Sequence, residues 1–304
     1  MAARFPEPRR WTAPEFEGAR AAAISDFIAE RTAAGGAAYA GAFAASRNVV
    51  ERLLTATRDL LDLGDGAALI ADPELLGAAR YLDGPPVSSD DLAVIATVSR
   101  TPRRIDATAA AAMARVIRAG IDPERFPWLI ATPQRPPTAE ERDVAIRWTA
   151  GLWAVQRTAT QRRGEAASRQ EAAVKALLAA EGFTEVPRRS IDSVGDLAPG
   201  QYCPEALVAG AKCDVPVALR NGRLLLLECK VSSSAVNSVK RLNRECGDKA
   251  SRWRGAFGAQ AYTGAVLAGV FRCGNIVQAQ DIQGIYVYWE RDLTPLAEFV
   301  RRAV

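Results

Sequence analysis

The pattern of hydrophobic and polar positions changes character past the middle of the chain. Up to about residue 180, apolar residues recur at helical spacing among many alanines, and beyond it short runs are apolar on successive residues. Trp11 to about Phe43 reads as helix, with Ile24, Phe27 and Ile28 on one stripe and Gly35-Gly36 as its break point. A second helix runs from Ser46 to Leu61. Leu63 to Pro86 is punctuated by Gly and Pro and predicts loop with short elements. Asp90-Asp91 is expected to cap a run through Val98, and Asp106 a run through Ala119 that ends at Gly120. Between them lies a basic loop, Arg100-Thr101-Pro102-Arg103-Arg104. After Arg135-Pro136-Pro137, Thr138-Ala139-Glu140-Glu141 forms a capping box that opens a long helix turning basic at Arg157, Arg162 and Arg163. A domain boundary is placed near Gly164, which divides the chain into an all-helical half, 1–163, and a second domain, 164–304. A further helix is expected from Glu165 to Glu181, capped by Gly182.

The second domain reads as an α/β core with a mixed β-sheet. Phe183 to Arg189 predicts a first strand and Asp192 to Gly210 a long loop. Then come two apolar runs, Val215–Leu219 and Leu224–Leu227, around Asn221-Gly222, the strongest short-range hairpin signal. Runs apolar on successive residues predict central strands buried on both faces. A helix follows from about Ala235 to Phe257, then strands at Ala265–Phe271 and Gly284–Trp289. A last helix, Pro295 to Arg302, is expected to be capped by Thr294.

The ends of the hairpin carry charge: Asp214 opens its first strand, and Glu228-Cys229-Lys230 closes its second. Buried strands should not end in unpaired ions, whose desolvation costs several kcal/mol. With a two-residue loop, Asp214 falls on the face away from Glu228 and Lys230. With the three-residue loop Arg220-Asn221-Gly222, Leu219 pairs with Arg223 and Asp214 stands opposite Glu228, with Lys230 following on the same face. The Gly suits either turn. The three-residue loop is preferred because it alone converges two carboxylates and a Lys. A hard divalent cation such as Mg2+ would relieve the repulsion of such a pair, polarise a phosphoryl oxygen and lower the pKa of a bound water. The Lys would orient that water or stabilise developing charge. The chemistry indicated is phosphodiester hydrolysis, and the competing reading is a set of strand-end salt bridges.

Asp214 with Glu228-Cys229-Lys230, on a hairpin flanked by helices, resembles the PD-(D/E)xK nuclease superfamily. The continuation from Lys230 through Ser232, Ser234, Asn237 and Lys240-Arg241-Leu242-Asn243, with Trp253 and Phe257-Gly258 beyond, is similar to type II restriction endonucleases of the XamI group. Cys213 stands where the superfamily's name has Pro, a position that supplies no ligand. The resemblance implies a restriction-endonuclease-like fold and Mg2+-dependent cleavage of double-stranded DNA by a homodimer, leaving 5′-phosphate ends. It implies a cognate DNA methyltransferase as a functional partner. Carried onto this chain, Asp214 and Glu228 become metal ligands, the Cys229 carbonyl a third, and Lys230 the residue at the attacking water. The helix before the first strand often supplies one more acid in this superfamily, which makes Glu171 the candidate, with Glu165 second.

Composition narrows the field further. The chain has 304 residues, 49% of them hydrophobic and 24% charged, an ordinary globular balance. Its formal net charge of +4 is too small for nucleic-acid binding to come from anything but local patches. The absence of His removes Ser-His-Asp and Cys-His hydrolases, His-metal nucleases and His-bearing zinc sites, so a hydrolytic site must run on carboxylates, Lys and a hard metal. Five Cys without a C-x-x-C pair fit free thiols in the cytoplasm, and no apolar run reaches membrane-spanning length. From Lys240 to Arg254 the helix carries six basic residues against Glu245 and Asp248, where a phosphodiester backbone would lie. Ser232, Ser234, Asn237, Lys240, Arg241, Asn243 and Arg244 are the candidate DNA contacts, with Asn and Arg able to read base edges. Two other functions stay open: a junction-resolvase-like nuclease, and a non-catalytic DNA-binding protein on a nuclease-like core.

Overall fold

The computed structural model describes residues 6–33, 35–99 and 105–304, which form two compact units. The basic loop Arg100–Arg104 lies outside the described residues. One unit comprises Ala34–Gln161. The other joins the described part of Met1–Ala33 to Arg162–Val304, so the first helix, α1 (Ala13–Ala33), groups with the sheet rather than with the helical half expected from sequence.

The helical unit holds α2 (Gly35–Ala56), α3 (Ala67–Ala71), α4 (Pro73–Ala79), α5 (Ser89–Ile95), α6 (Ala107–Gly120), α7 (Pro127–Ile130) and the first part of α8 (Ala139–Ala180). Helix α2 covers positions that the sequence reading divided between two helices. Asp106 caps α6 as expected, accepting from the Ala109 amide at 2.7 Å. The cap of α5 is Ser88, not Asp90 or Asp91, because its hydroxyl accepts the Asp91 amide. The core gathers Leu53, Leu54, Leu82, Ile117, Trp128 and Ile146. Beside it, the buried Arg125 guanidinium donates to the carbonyls of Tyr81, Leu82 and Asp83 and pairs with Asp122 at 2.7 Å.

Helix α8 opens with the expected capping box, the Thr138 amide donating to Glu141 and the Glu141 amide to the Thr138 hydroxyl. It then runs through Gly164 without a break, so the expected pair of helices is one of 42 residues. A single helical Gly costs only about 1 kcal/mol, and the Arg, Gln, Glu and Ala on either side are strong helix formers. Gly182, with φ +77, stands beyond its end in the left-handed conformation.

The sheet unit contains β1 (Thr184–Glu185), β2 (Gln201–Tyr202), β3 (Ala206–Val208), β4 (Ala211–Cys213), β5 (Val215–Ala218), β6 (Leu224–Ser232), β7 (Ala261–Gly269) and β8 (Ile285–Trp289). The order β1-β2-β5-β6-β7-β8 forms a six-stranded mixed sheet, and β3 with β4 forms a separate ribbon. The expected strand from Phe183 shrinks to two residues, and the expected long loop supplies two short strands, β2 and β3. Strands β5 and β6 are antiparallel, whereas β6, β7 and β8 run parallel. Between β6 and β7 the chain passes through α9 (Ala235–Ser238), a π-helical segment Val239–Cys246 and α10 (Gly247–Phe257). Helix α11 (Cys273–Asp281) links β7 to β8, and α12 (Thr294–Arg302) ends the chain. Thr294 is not the cap of α12: its amide donates to the Asp292 carboxylate.

Alternation along β6 distributes its side chains between two apolar clusters. Leu225, Leu227 and Cys229 join Val174 and Leu178 of α8 and Phe299 of α12 on one face. Leu224 and Leu226 join Trp253 and Phe257 of α10 on the other. Both aromatics of α10 are therefore core, and Glu228 and Lys230 continue the face covered by α10.

Candidate active site at the end of the central strands

The hairpin register is the three-residue one. Val215 pairs with Leu227 and Ala218 with Leu224, the Leu219 amide donates to the Arg223 carbonyl at 2.8 Å, and Gly222 takes φ +81. Extended by one residue, this ladder sets Asp214 opposite Glu228. Asp214 lies at the bend between β4 and β5, where the chain leaves the ribbon for the large sheet.

Three charged side chains, one from this bend and two from β6, converge there. The Asp214 Oδ2 accepts from the Cys229 amide at 2.7 Å and from the Lys230 ammonium at 2.9 Å. Lys230 Nζ also lies 2.8 Å from Glu228 Oε2, so one ammonium bridges both carboxylates. Glu228 is fully buried, and its Oε1 has no hydrogen-bond partner. Burial pushes the Glu228 carboxyl above its ordinary range, against the pull of Lys230. Burial alone would lower the Lys230 ammonium, but Glu228 and Asp214 outweigh it and hold its pKa above the usual lysine value. Both carboxylates thus favour the charged form of Lys230, a hydrogen-bond donor.

A fourth member escaped the sequence reading. Lys249 of α10 lies 2.6 Å from the same Glu228 oxygen. It had been counted with the basic residues facing a phosphate backbone. The missed signal is its position four residues before Trp253 and eight before Phe257, on the stripe that covers β6.

The other predicted residues divide. Glu171 is half-buried on α8, whose apolar stripe covers the opposite sheet face. Burial and then the Asp214 charge raise its carboxyl, with Lys175 and Lys230 opposing. It feels the site, but the described residues contain no group of three His, Cys, Asp or Glu that could hold a metal. Glu165 is exposed on the same helix. Burial pushes the Cys229 thiol up, so it is no thiolate ligand, and only its carbonyl has donor chemistry to offer. Asn237, Lys240 and Arg244 are exposed. Arg241 is half-buried and donates to the Val231 carbonyl at 2.8 Å. Ser234 caps α9 through the Asn237 amide, and the buried Ser232 hydroxyl donates to the Ser234 carbonyl. Asn243 is only 8% exposed and commits its amide to the Asn275 carbonyl at 3.0 Å, so it presents no edge at the surface.

A mixed sheet that ends in a carboxylate pair with a bridging Lys, behind a helical N-terminal half, is the architecture of a restriction-endonuclease-like, site-specific endonuclease. The comparisons with known proteins lead to the same class. The family model described as XamI restriction endonuclease matches residues 60–289. The "Type II restriction enzyme XamI" of Xanthomonas campestris pv. amaranthicola is 38% identical over 259 residues, covering 83% of this chain and 93% of that enzyme. The chain belongs to the XamI restriction endonuclease family. No solved structure matches it, and no described helix is long and apolar enough to cross a membrane.

Proposed function

We propose that this enzyme hydrolyses double-stranded DNA in a Mg2+-dependent reaction at the Asp214, Glu228 and Lys230 cluster, giving 5′-phosphate and 3′-hydroxyl ends. The observation that carries this reading is the pair of carboxylates bridged by one ammonium at the end of β6, with a buried carboxylate oxygen left unpartnered. Hard oxygen donors suit Mg2+, which binds through one or two carboxylates and otherwise keeps waters and substrate phosphates. The residues therefore fit the ion without a third acid, with Asp214 and Glu228 holding it, the Cys229 carbonyl adjoining and Glu171 adding negative charge from the far face. Bound there, the ion would offset phosphate charge and acidify a water.

The chain's own groups do the rest. Lys249 holds Oε2 of Glu228, which leaves Oε1 free for a ligand. Lys230, held as an ammonium by the two carboxylates, donates to the attacking water and to the phosphoryl oxygens. Water adds its oxygen to phosphorus as the bond to the 3′ oxygen breaks, and that oxygen leaves with a proton. Asn237, Lys240 and Arg244 lie along the DNA, while Ser232, Ser234, Arg241 and Asn243 hold the backbone that presents them. Two copies act on one duplex in the cytoplasm, and a cognate methyltransferase protects the host's own sites. Family membership favours this reading over a junction-selective nuclease or a non-catalytic binder.

The test is incubation of the purified protein with plasmid of known sequence, in Mg2+ and in EDTA, followed by sequencing of the ends. Discrete Mg2+-dependent fragments sharing one short motif support the reading. Specific binding without cutting would remove it.

A further inference from the structure

Most of α8 within the helical unit is apolar on both sides. Its inner face buries Ala145, Ile146, Ala150 and Ala154. Its outer face exposes Val144 (43%), Trp148 (58%), Leu152 (44%) and Val155 (62%), spaced four, four and three residues apart on one stripe. Tyr39 of α2, 40% exposed, extends the stripe: its hydroxyl lies 3.8 Å from where a Cβ on Gly151 would stand. An exposed apolar stripe on a helix that already buries its other face marks an interface. The stripe exposes on the order of 450 Å² per chain, over half of the ~800 Å² that each partner of a stable complex contributes.

We propose that this stripe is the two-fold interface through which a second copy of this chain docks. The proposal rests on the duplex-cleaving reading above and adds the surface that joins the copies. Each chain carries one carboxylate pair, and a duplex offers two strands related by a two-fold axis, so one site per strand requires two chains with the same symmetry. A two-fold contact is isologous, and a helix meeting its own copy across such an axis pairs antiparallel.

The sequence of α8 is self-complementary in that arrangement. Glu140 lies on the stripe's side eleven residues before Gly151 and Arg162 eleven after it, while the neighbouring Glu141 is held by Arg135 and the Thr138 amide. An axis at the level of Gly151, beside Tyr39, brings the acidic turn of each copy against the basic turn of the other. The same axis carries Trp148 of one copy to the level of Ala154 of the second. There a groove of about 860 Å³, lined by Tyr81, Val87, Leu152, Trp153 and Val155 among others, provides a receptacle for the indole.

The experiment measures the mass of the full chain in solution and, in the same samples, plasmid cleavage with Mg2+. Wild type is expected at twice 32.6 kDa and Trp148→Glu at 32.6 kDa, with unchanged circular dichroism because Trp148 is exposed. Trp148→Glu should convert supercoiled plasmid to open circles rather than linear product. Exchanging Glu140→Arg alone should weaken the dimer, and adding Arg162→Glu should restore it. A Leu152→Cys variant should be joined to its own copy by a short bis-maleimide, with wild type as the control for native thiols. A Trp148→Glu protein that remains dimeric overturns this surface while leaving two-copy cleavage standing. A monomeric wild type that still makes double-strand breaks overturns both. If wild type is dimeric, Trp148→Glu is monomeric and neither cuts DNA, the interface stands and the catalytic reading falls.

Discussion

Both units bury a carboxylate near a basic residue, Glu228 in the sheet unit and Asp83 in the helical unit, and their surroundings differ in kind. Glu228 is fully buried, yet two ammonium groups converge on one of its oxygens. Asp83 is 7% exposed, and its Oδ1 has no partner. The guanidinium beside it, Arg125, donates to the Asp83 carbonyl and pairs with Asp122 instead. Burial accordingly carries the Asp83 carboxyl up to about 7, only partly offset by Arg125. An interior that merely tolerates a carboxyl lets it neutralise, whereas one arranged to use a carboxylate supplies cations to hold its charge. Burial raises both carboxyls, but only at Glu228 do side-chain cations in direct contact oppose it.

The strongest way to break the comparison is to remove the charge itself. Asp214→Asn and Glu228→Gln should each lower plasmid cleavage by about a thousand-fold or more, ~4 kcal/mol of transition-state stabilisation, while DNA affinity persists in a filter-binding assay. Retained cleavage in either would remove that residue from the reaction. The counterpart in the helical unit is Arg125→Met, which strands Asp122 and three backbone carbonyls. It should destabilise that unit by about 3–5 kcal/mol, read as faster hydrogen exchange in α4 and α6.

Lys249→Met sharpens the comparison by making Glu228 more like Asp83. Without Mg2+ the variant should lose about 2 kcal/mol in chemical denaturation. Added Mg2+ should then raise its melting temperature more than that of wild type, because the ion replaces the missing positive charge. Equal Mg2+ responses would mean that Lys249 has no part in the balance at Glu228.

Asp83→Asn works in the opposite sense. The folded-state pKa of Asp83 is raised, so its favourable contribution is complete below the unfolded value of 3.8 and is lost as pH rises through about 7. The Asn variant should therefore be more stable than wild type at pH 8, by about 1 kcal/mol, and should flatten the decline between pH 4 and pH 7 in a series of denaturation curves. The smallest effect is expected at Gly164, a helical position with open space where a Cβ would stand. Gly164→Ala should stabilise the protein by about 0.5–1 kcal/mol, and a loss of stability there would contradict an unbroken α8.

Most of the candidate site was legible because it is written in local sequence. Runs apolar on successive residues, an Asn-Gly step and charge at both strand ends identified the hairpin. The requirement that two carboxylates and a Lys converge picked the register that the ladder shows. The helices were legible as helices but not in their limits. Gly164 suggested an end that good helix formers on both sides override, and Asp90 suggested a cap that the Ser88 hydroxyl takes instead. Lys249 and Asn243 were misjudged for one reason. The polar pattern of a helix does not say which charged or amide residue its neighbours enclose, and α10 and the π-helical segment are pressed against β6 and α11.

By itself, then, the sequence determined the chemistry available to this protein. The absence of histidine, with Asp214, Glu228 and Lys230 at the ends of buried strands, pointed to hydrolysis by carboxylates, a lysine and a hard cation. Only the tertiary structure decided which groups share that chemistry. The parallel return from β6 to β7 lays α10 over one face, placing Lys249 on Glu228, while α8 covers the other face and carries Glu171, half-buried, where the Asp214 charge reaches it. Spacing along a chain fixes which face of its own element a side chain occupies, but the partner across that face is set by packing between segments distant in sequence.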